Sequence, residues 1–185
     1  LKTSRRSNEA ALKYVILGAF SSGLLLYGLS LFYGLTGTTQ LQALQAALAQ
    51  ADTSGPLLVL AALLLVAGLL FKVGAVPFHM WVPDIYEGAP TPVTGFMAAA
   101  GKAAAFAVVL RILMLDLGVL EDIWRPGVTA AAVLTMAAGS FAALVQANIK
   151  RMLAYSSIAH AGFLMLGLIA GGPAGAASMM LYLLI

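Results

Sequence analysis

Long apolar runs separated by short polar stretches set the pattern of this chain. A helix needs about 20 mostly apolar residues to cross a bilayer. Five runs meet that length: about Ala10–Gly34, Pro56–Val76, Pro92–Leu115, Val128–Ala147 and Met152–Ala170. A sixth begins near Pro173 and still runs at the last residue. The short, evenly alternating segments of a closed barrel are absent, so the spans are predicted as helices, which satisfy their own backbone in lipid. Residues 36–55 are polar, with Leu41, Leu44 and Leu48 on one helical face, and predict an interfacial helix too short to span. Asp116–Gly127 reads as a short acidic loop with Trp124 as an interface anchor, and Asn148–Arg151 as a tight basic turn. The predicted fold is all-α: a polytopic transmembrane helix bundle forming a single membrane domain over residues 1–185. Leu1 opens a polar, basic stretch with no initiator Met, and Ile185 falls inside an apolar run. The expectation is a central slice of a longer polypeptide.

Composition sharpens this picture. The 185 residues are 62% hydrophobic and only 9% charged, against about 45–50% and 25% in soluble domains. The mean hydropathy is +0.97. A soluble globule of this size has too little interior for that much apolar surface. Cysteine is absent, which removes disulfides, thiolate zinc sites and cysteine-ligated iron–sulfur clusters. Two histidines and seven scattered acids predict no metal site. The net charge of +3 does not form a nucleic-acid-binding stripe, because the cations sit at segment ends or singly inside apolar runs. If each run spans once, Lys2, Arg5, Arg6, Lys13, Lys150 and Arg151 share one side, with Arg125 and Arg111 on the other. The positive-inside rule makes the first side cytoplasmic.

Three residues stand where a membrane helix resists them. Lys102 lies among Ala98–Ala100, Gly101 and Ala103–Ala105, roughly 15 Å from the start of its span at 1.5 Å per residue. A lysine at that depth costs about 2.5–3.5 kcal/mol on insertion scales, and its small neighbours admit another helix or water. Lys72 precedes Gly74 and Pro77, which interrupt a path that continues apolar through Phe78, Met80, Trp81 and Val82. A discontinuous helix is expected there, with Lys72 beside the break; snorkelling to the surface is the competing reading. His160 lies midway along the fifth span and shares a face with Ser156 and Ser157. It serves there either as a hydrogen-bonding member of the bundle or as a proton carrier. The other charges have structural readings. Glu9 and Lys13 form an i,i+4 pair, Asp84 and Glu87 cap or bind neighbours, Arg111 anchors, and topology accounts for Lys150 and Arg151. With no nucleophile–base constellation and no phosphate loop, the chemistry this set permits is proton transfer through Lys72, Lys102 and His160.

The run from Gly68 through Lys72, Pro77, His79, Trp81, Pro83-Asp84-Ile85-Tyr86-Glu87-Gly88 and Pro90 to Pro92 resembles a signature of the antiporter-like membrane subunits of respiratory complex I. Gly101-Lys102, and Asn148 through Lys150, Arg151, Tyr155, Ser156, Ser157 and His160 to Gly162, are similar to two further signatures. The Pro-Asp-Ile-Tyr-Glu-Gly form is most like the N-type subunits, and the likeness extends from about Asn8 to the end. It implies that Lys72 is a proton-handling lysine beside the helix break, Lys102 a connecting lysine on the next helix, and His160 part of a polar axis. It further implies a hetero-oligomer with other membrane subunits of complex I in a bacterial inner membrane. NAD, FMN, iron–sulfur clusters and quinone would belong to partner subunits, with no cofactor in this chain. The carboxylate partner of Lys72 and a second helix repeat are expected outside residues 1–185.

The leading expectation is therefore a proton-translocating subunit of NADH–quinone oxidoreductase. A subunit of a monovalent cation/proton antiporter, a membrane scaffold whose lysines only pair with partners, and a solute carrier are the alternatives.

Overall fold

A computed structural model describes residues 4–50 and 55–184. The described residues form helices and no strand. In chain order these are α1 (Arg5–Thr36), α2 (Leu41–Gln50), α3 (Pro56–Val73), α4 (Trp81–Gly88), α5 (Thr91–Asp116), α6 (Glu121–Leu144), α7 (Ile149–Ala170) and α8 (Gly172–Leu184). Five of them, α1, α3, α5, α6 and α7, are long and apolar enough to cross a membrane. The expected all-α polytopic bundle is what the chain forms. Lys2 and residues 51–54 of the polar connection lie outside the described residues.

Helix α1 has 32 residues, about 48 Å of rise against a hydrocarbon core of about 30 Å. Its polar first turns, Arg5 to Lys13, extend beyond the apolar part. The Ser4 side chain caps it by accepting from the Ser7 amide. Helix α2 is the stretch read as amphipathic, and its Leu44 and Leu48 are buried. Helix α1 packs along α3 and α4, α6 pairs with α7, and α7 packs against α4 and α8. Small residues set the closest approach: a Cβ at Gly139 of α6 would lie 2.5 Å from the backbone nitrogen of Ala159 on α7.

The connections differ from expectation in two places. Most of the predicted acidic loop is helix, because α6 begins at Glu121 after a 3-10 turn at Gly118–Leu120. Glu121 and Asp122 occupy the first turn, where the helix dipole favours them, and Arg125 pairs with Glu121 at 2.6 Å. Trp124 is not an interface anchor: it is 2% exposed, and its indole N–H donates to the Leu117 carbonyl at 3.0 Å. The basic turn is likewise shorter than read. Asn148 caps α7 by accepting from the Lys150 amide at 2.9 Å, which places Lys150 and Arg151 inside the first helical turn.

Candidate functional site

The break in the third element follows from local residues. Helix α3 ends at Gly74, whose φ of 74° is left-handed and open to glycine at little cost. A Cβ there would also lie 2.8 Å from a Val82 methyl. Interrupting a helix strands backbone groups, and the bundle supplies partners. The Ala75 amide returns to the Leu70 carbonyl at 2.9 Å. The Phe71 carbonyl accepts from the Trp81 indole at 3.1 Å, and the Val76 amide donates to the Thr135 hydroxyl of α6 at 2.9 Å. The expected discontinuous helix is thus α3 and α4, joined by residues 74–80.

Lys102 follows a widened π-helical turn at Met97–Gly101 within α5. Such turns add a residue and re-aim the side chains that follow them. The Lys102 amine crosses to α7, donating to the Ser157 carbonyl and, at 2.9 Å, to the Ser157 hydroxyl. That hydroxyl in turn donates to the Ala154 carbonyl at 2.9 Å. Lys102 is 8% exposed and has no carboxylate partner among the described residues. It lines a cavity of about 410 Å³ together with Ser157, His160 and Tyr182. His160 follows Ser157 by one helical turn, and its Nδ1 meets the Tyr182 hydroxyl of α8 at 2.6 Å. The structure therefore gathers Lys102 and His160 around one space, walled otherwise mainly by alanine and leucine. Their sequence separation of 58 residues gives no hint of it.

Lys72 is placed differently. It stands at the end of α3 beside the break, outside that cavity, exposed on the surface of the described residues. It makes no hydrogen bond or ion pair among them. His160 is also exposed. Of the three residues singled out from sequence, only Lys102 is buried by this chain itself.

A second charged group joins three helices at one end of the bundle. Arg151 of α7 pairs with Asp84 at 2.8 Å and Glu87 at 3.1 Å on α4, so its role is not topology alone. Lys13 of α1 pairs with Glu9 at 2.7 Å, as its spacing predicts, and also with Asp84 at 2.8 Å. Arg6 reaches Glu87 at 2.9 Å, and the Asn148 side-chain Nδ2 donates to the same carboxylate at 2.9 Å. Asp84 and Glu87 lie three residues apart on one face of α4, which with the Glu9–Lys13 spacing is the sequence signal for this clasp. The clasp holds the short half-helix between α1 and α7. Arg151→Ala leaves two part-buried carboxylates short of a partner, a loss of about 1.5–3 kcal/mol for a hydrogen-bonded charge. Hydrogen exchange at the α4 amides is expected to speed up by about tenfold or more. Unchanged exchange there means the clasp does not hold α4.

The sequence profile of the NADH:quinone oxidoreductase/Mrp antiporter transmembrane family matches residues 1–185. The chain is 62% identical over 188 residues to NADH-quinone oxidoreductase subunit N 2 of Rhizobium meliloti, covering 100% of this chain and 38% of that protein. Among solved structures it resembles a chain of respiratory complex I from Thermus thermophilus with bound aureothin. There the identity is 44% and the TM-score 0.76, over 95% of this chain and 38% of that one. It also resembles a chain of the Mrp complex from a Dietzia species at 25% identity and TM-score 0.86, over 98% and 33% of the two chains. The chain spans 33–38% of the length of these relatives.

Proposed function

The chain belongs to the NADH:quinone oxidoreductase/Mrp antiporter transmembrane family, and on that premise we propose that it is part of a proton-translocating membrane subunit of NADH–quinone oxidoreductase. The subunit moves protons while electrons pass through partner subunits, which hold the NAD, FMN, iron–sulfur and quinone sites. The end bearing the clasp faces the cytoplasm, in agreement with its excess of Arg and Lys.

One observation carries this reading: a buried lysine inside an apolar span, held by a serine with no countercharge among the described residues and opening on a cavity shared with a histidine. A stability role explains such a lysine poorly, because an apolar side chain would fill the same space without the cost of burying an amine. A proton-handling role explains it directly. The amine loads or releases a proton according to the position of a nearby charge, and His160 shares the space into which the proton passes. The electrical work is of matching size, about 2.3 kcal/mol per charge per 100 mV. Lys72 is the second proton-handling lysine, beside the break, with its carboxylate partner supplied from outside these residues.

The test is reconstitution of the complete assembled complex in proteoliposomes. NADH-driven acidification is expected in medium free of sodium and potassium. Proton movement that needs either cation and proceeds without NADH assigns the chain to the antiporter branch, whose Mrp likeness is on the same footing of fold. Pumping that survives Lys72→Ala and Lys102→Ala together leaves only a scaffold.

A further inference from the structure

Helices α7 and α8 form a hairpin whose register places one pair of side chains with care. The two backbones approach closely near their connection, where a Cβ at Gly167 would lie 2.9 Å from the Gly175 carbonyl oxygen. Seven residues separate His160 from Gly167, and seven separate Gly175 from Tyr182. Seven residues are close to two helical turns, about 10 Å of rise, and return to the same face. His160 and Tyr182 therefore meet as the next layer of the same interface, away from the loop. The observed contact fits that register: Nδ1 to hydroxyl at 2.6 Å, with ring centroids 6.0 Å apart. Both side chains line the cavity that holds the Lys102 amine.

We propose that Tyr182 is a relay residue that takes the proton from His160 and passes it onward to water. The inference rests on the proton-transfer reading above and adds the step after His160. With a neutral imidazole, the Tyr182 O–H donates to Nδ1. Once His160 is protonated, its Nδ1–H donates to the phenol oxygen and frees the phenol O–H to donate to a cavity water. The Nδ1–H bond breaks as a new O–H forms on the phenol, and the original O–H proton leaves to that water. The imidazole returns to neutral, the phenol is neutral before and after, and one proton has advanced. The hairpin register makes this possible, because the single polar contact of the imidazole to α8 is a group that accepts and donates at one atom. A tyrosine that only fills space between the helices needs its ring and not its hydroxyl.

The experiment introduces Tyr182→Phe and Tyr182→His into the complete subunit and measures protons moved per NADH oxidised by the assembled complex in proteoliposomes. Phenylalanine keeps the ring and removes the relay atom, so pumping is expected to fall by about tenfold or more. Imidazole accepts at one nitrogen and donates from the other, so Tyr182→His is expected to recover at least about half of the wild-type yield. Pumping by Tyr182→Phe within about twofold of wild type overturns the relay, since proton-transfer groups are worth far more. So does a histidine variant no better than phenylalanine, and that comparison decides the matter if Tyr182→Phe lowers assembly. Lys102→Met in the same assay separates the two claims. If it abolishes pumping while Tyr182→Phe does not, the relay alone falls; if it pumps fully, the underlying site reading falls.

Discussion

Replacing Lys102 with methionine is expected to cut NADH-driven proton transfer by about 10²-fold or more, the usual worth of a proton-transfer group. The same change is expected to leave the subunit as stable as before, or more stable by about 1–3 kcal/mol. The two effects have opposite signs because the amine does two opposed things. It is buried at 8% exposure in an apolar span, and among the described residues only Ser157 satisfies it. Methionine has nearly the same length and no charge to desolvate. Ser157 keeps its own bond to the Ala154 carbonyl at 2.9 Å, so no new orphan donor is created. A lysine retained for structure gives the reverse result, lost assembly with normal pumping per assembled complex. Pumping per NADH and the fraction of assembled subunit surviving heat, measured on one preparation, distinguish the two. Lys102→Met that pumps at the wild-type rate ends the proton-carrier assignment of this residue.

The second large effect concerns packing. Gly139→Leu is expected to cost more than the about 1–3 kcal/mol typical of an overpacked core and to abolish assembly of the subunit. The clash is with backbone: a Cβ at Gly139 lies 2.5 Å from the Ala159 nitrogen and 2.9 Å from its Cα. No rotamer change relieves it, so α6 and α7 must separate. Ala159 lies between Ser157 and His160 on α7, and the separation therefore moves both relative to Lys102 on α5. Gly139→Ala is the milder form, expected to assemble with reduced pumping. Gly127→Ala is the control, because nothing lies within 4 Å of a Cβ there and alanine raises helix propensity. Equal assembly levels for the leucine variant and the control show that the α6–α7 interface is looser than described.

The spans were legible because lipid leaves a chain few options. A run of about 20 apolar residues has to satisfy its backbone internally, and only a helix does so within one segment. The helix break was legible for a related reason, since Pro77 has no amide to continue a helix and Gly74, three residues before it, readily takes the left-handed cap that ends one. Lys102 was conspicuous because a charge among alanines costs energy that composition alone exposes. The helical start of α6 near Trp124 is hidden in the sequence, because acidic residues suit both a loop and a helix N-terminus. The ion pairs of Arg151 are likewise hidden, because in sequence a cation beside a membrane segment looks the same whether or not carboxylates face it.

What the sequence determined by itself is the solvent of this protein, the number and kind of its spans, and which residues are out of place in them. Those properties belong to single residues and their near neighbours, and transfer energy is summed along the chain. The tertiary structure alone decided who meets whom. It gave Lys102 to Ser157, left Lys72 without a partner among the described residues, set Asp84 and Glu87 between Lys13 and Arg151, and put Tyr182 against His160. Helix-to-helix partnerships depend on rotation and register, which in this bundle are set by contacts as small as Gly139 on Ala159 and Gly167 on Gly175. A linear pattern holds the ingredients of such contacts, and only close packing selects among them.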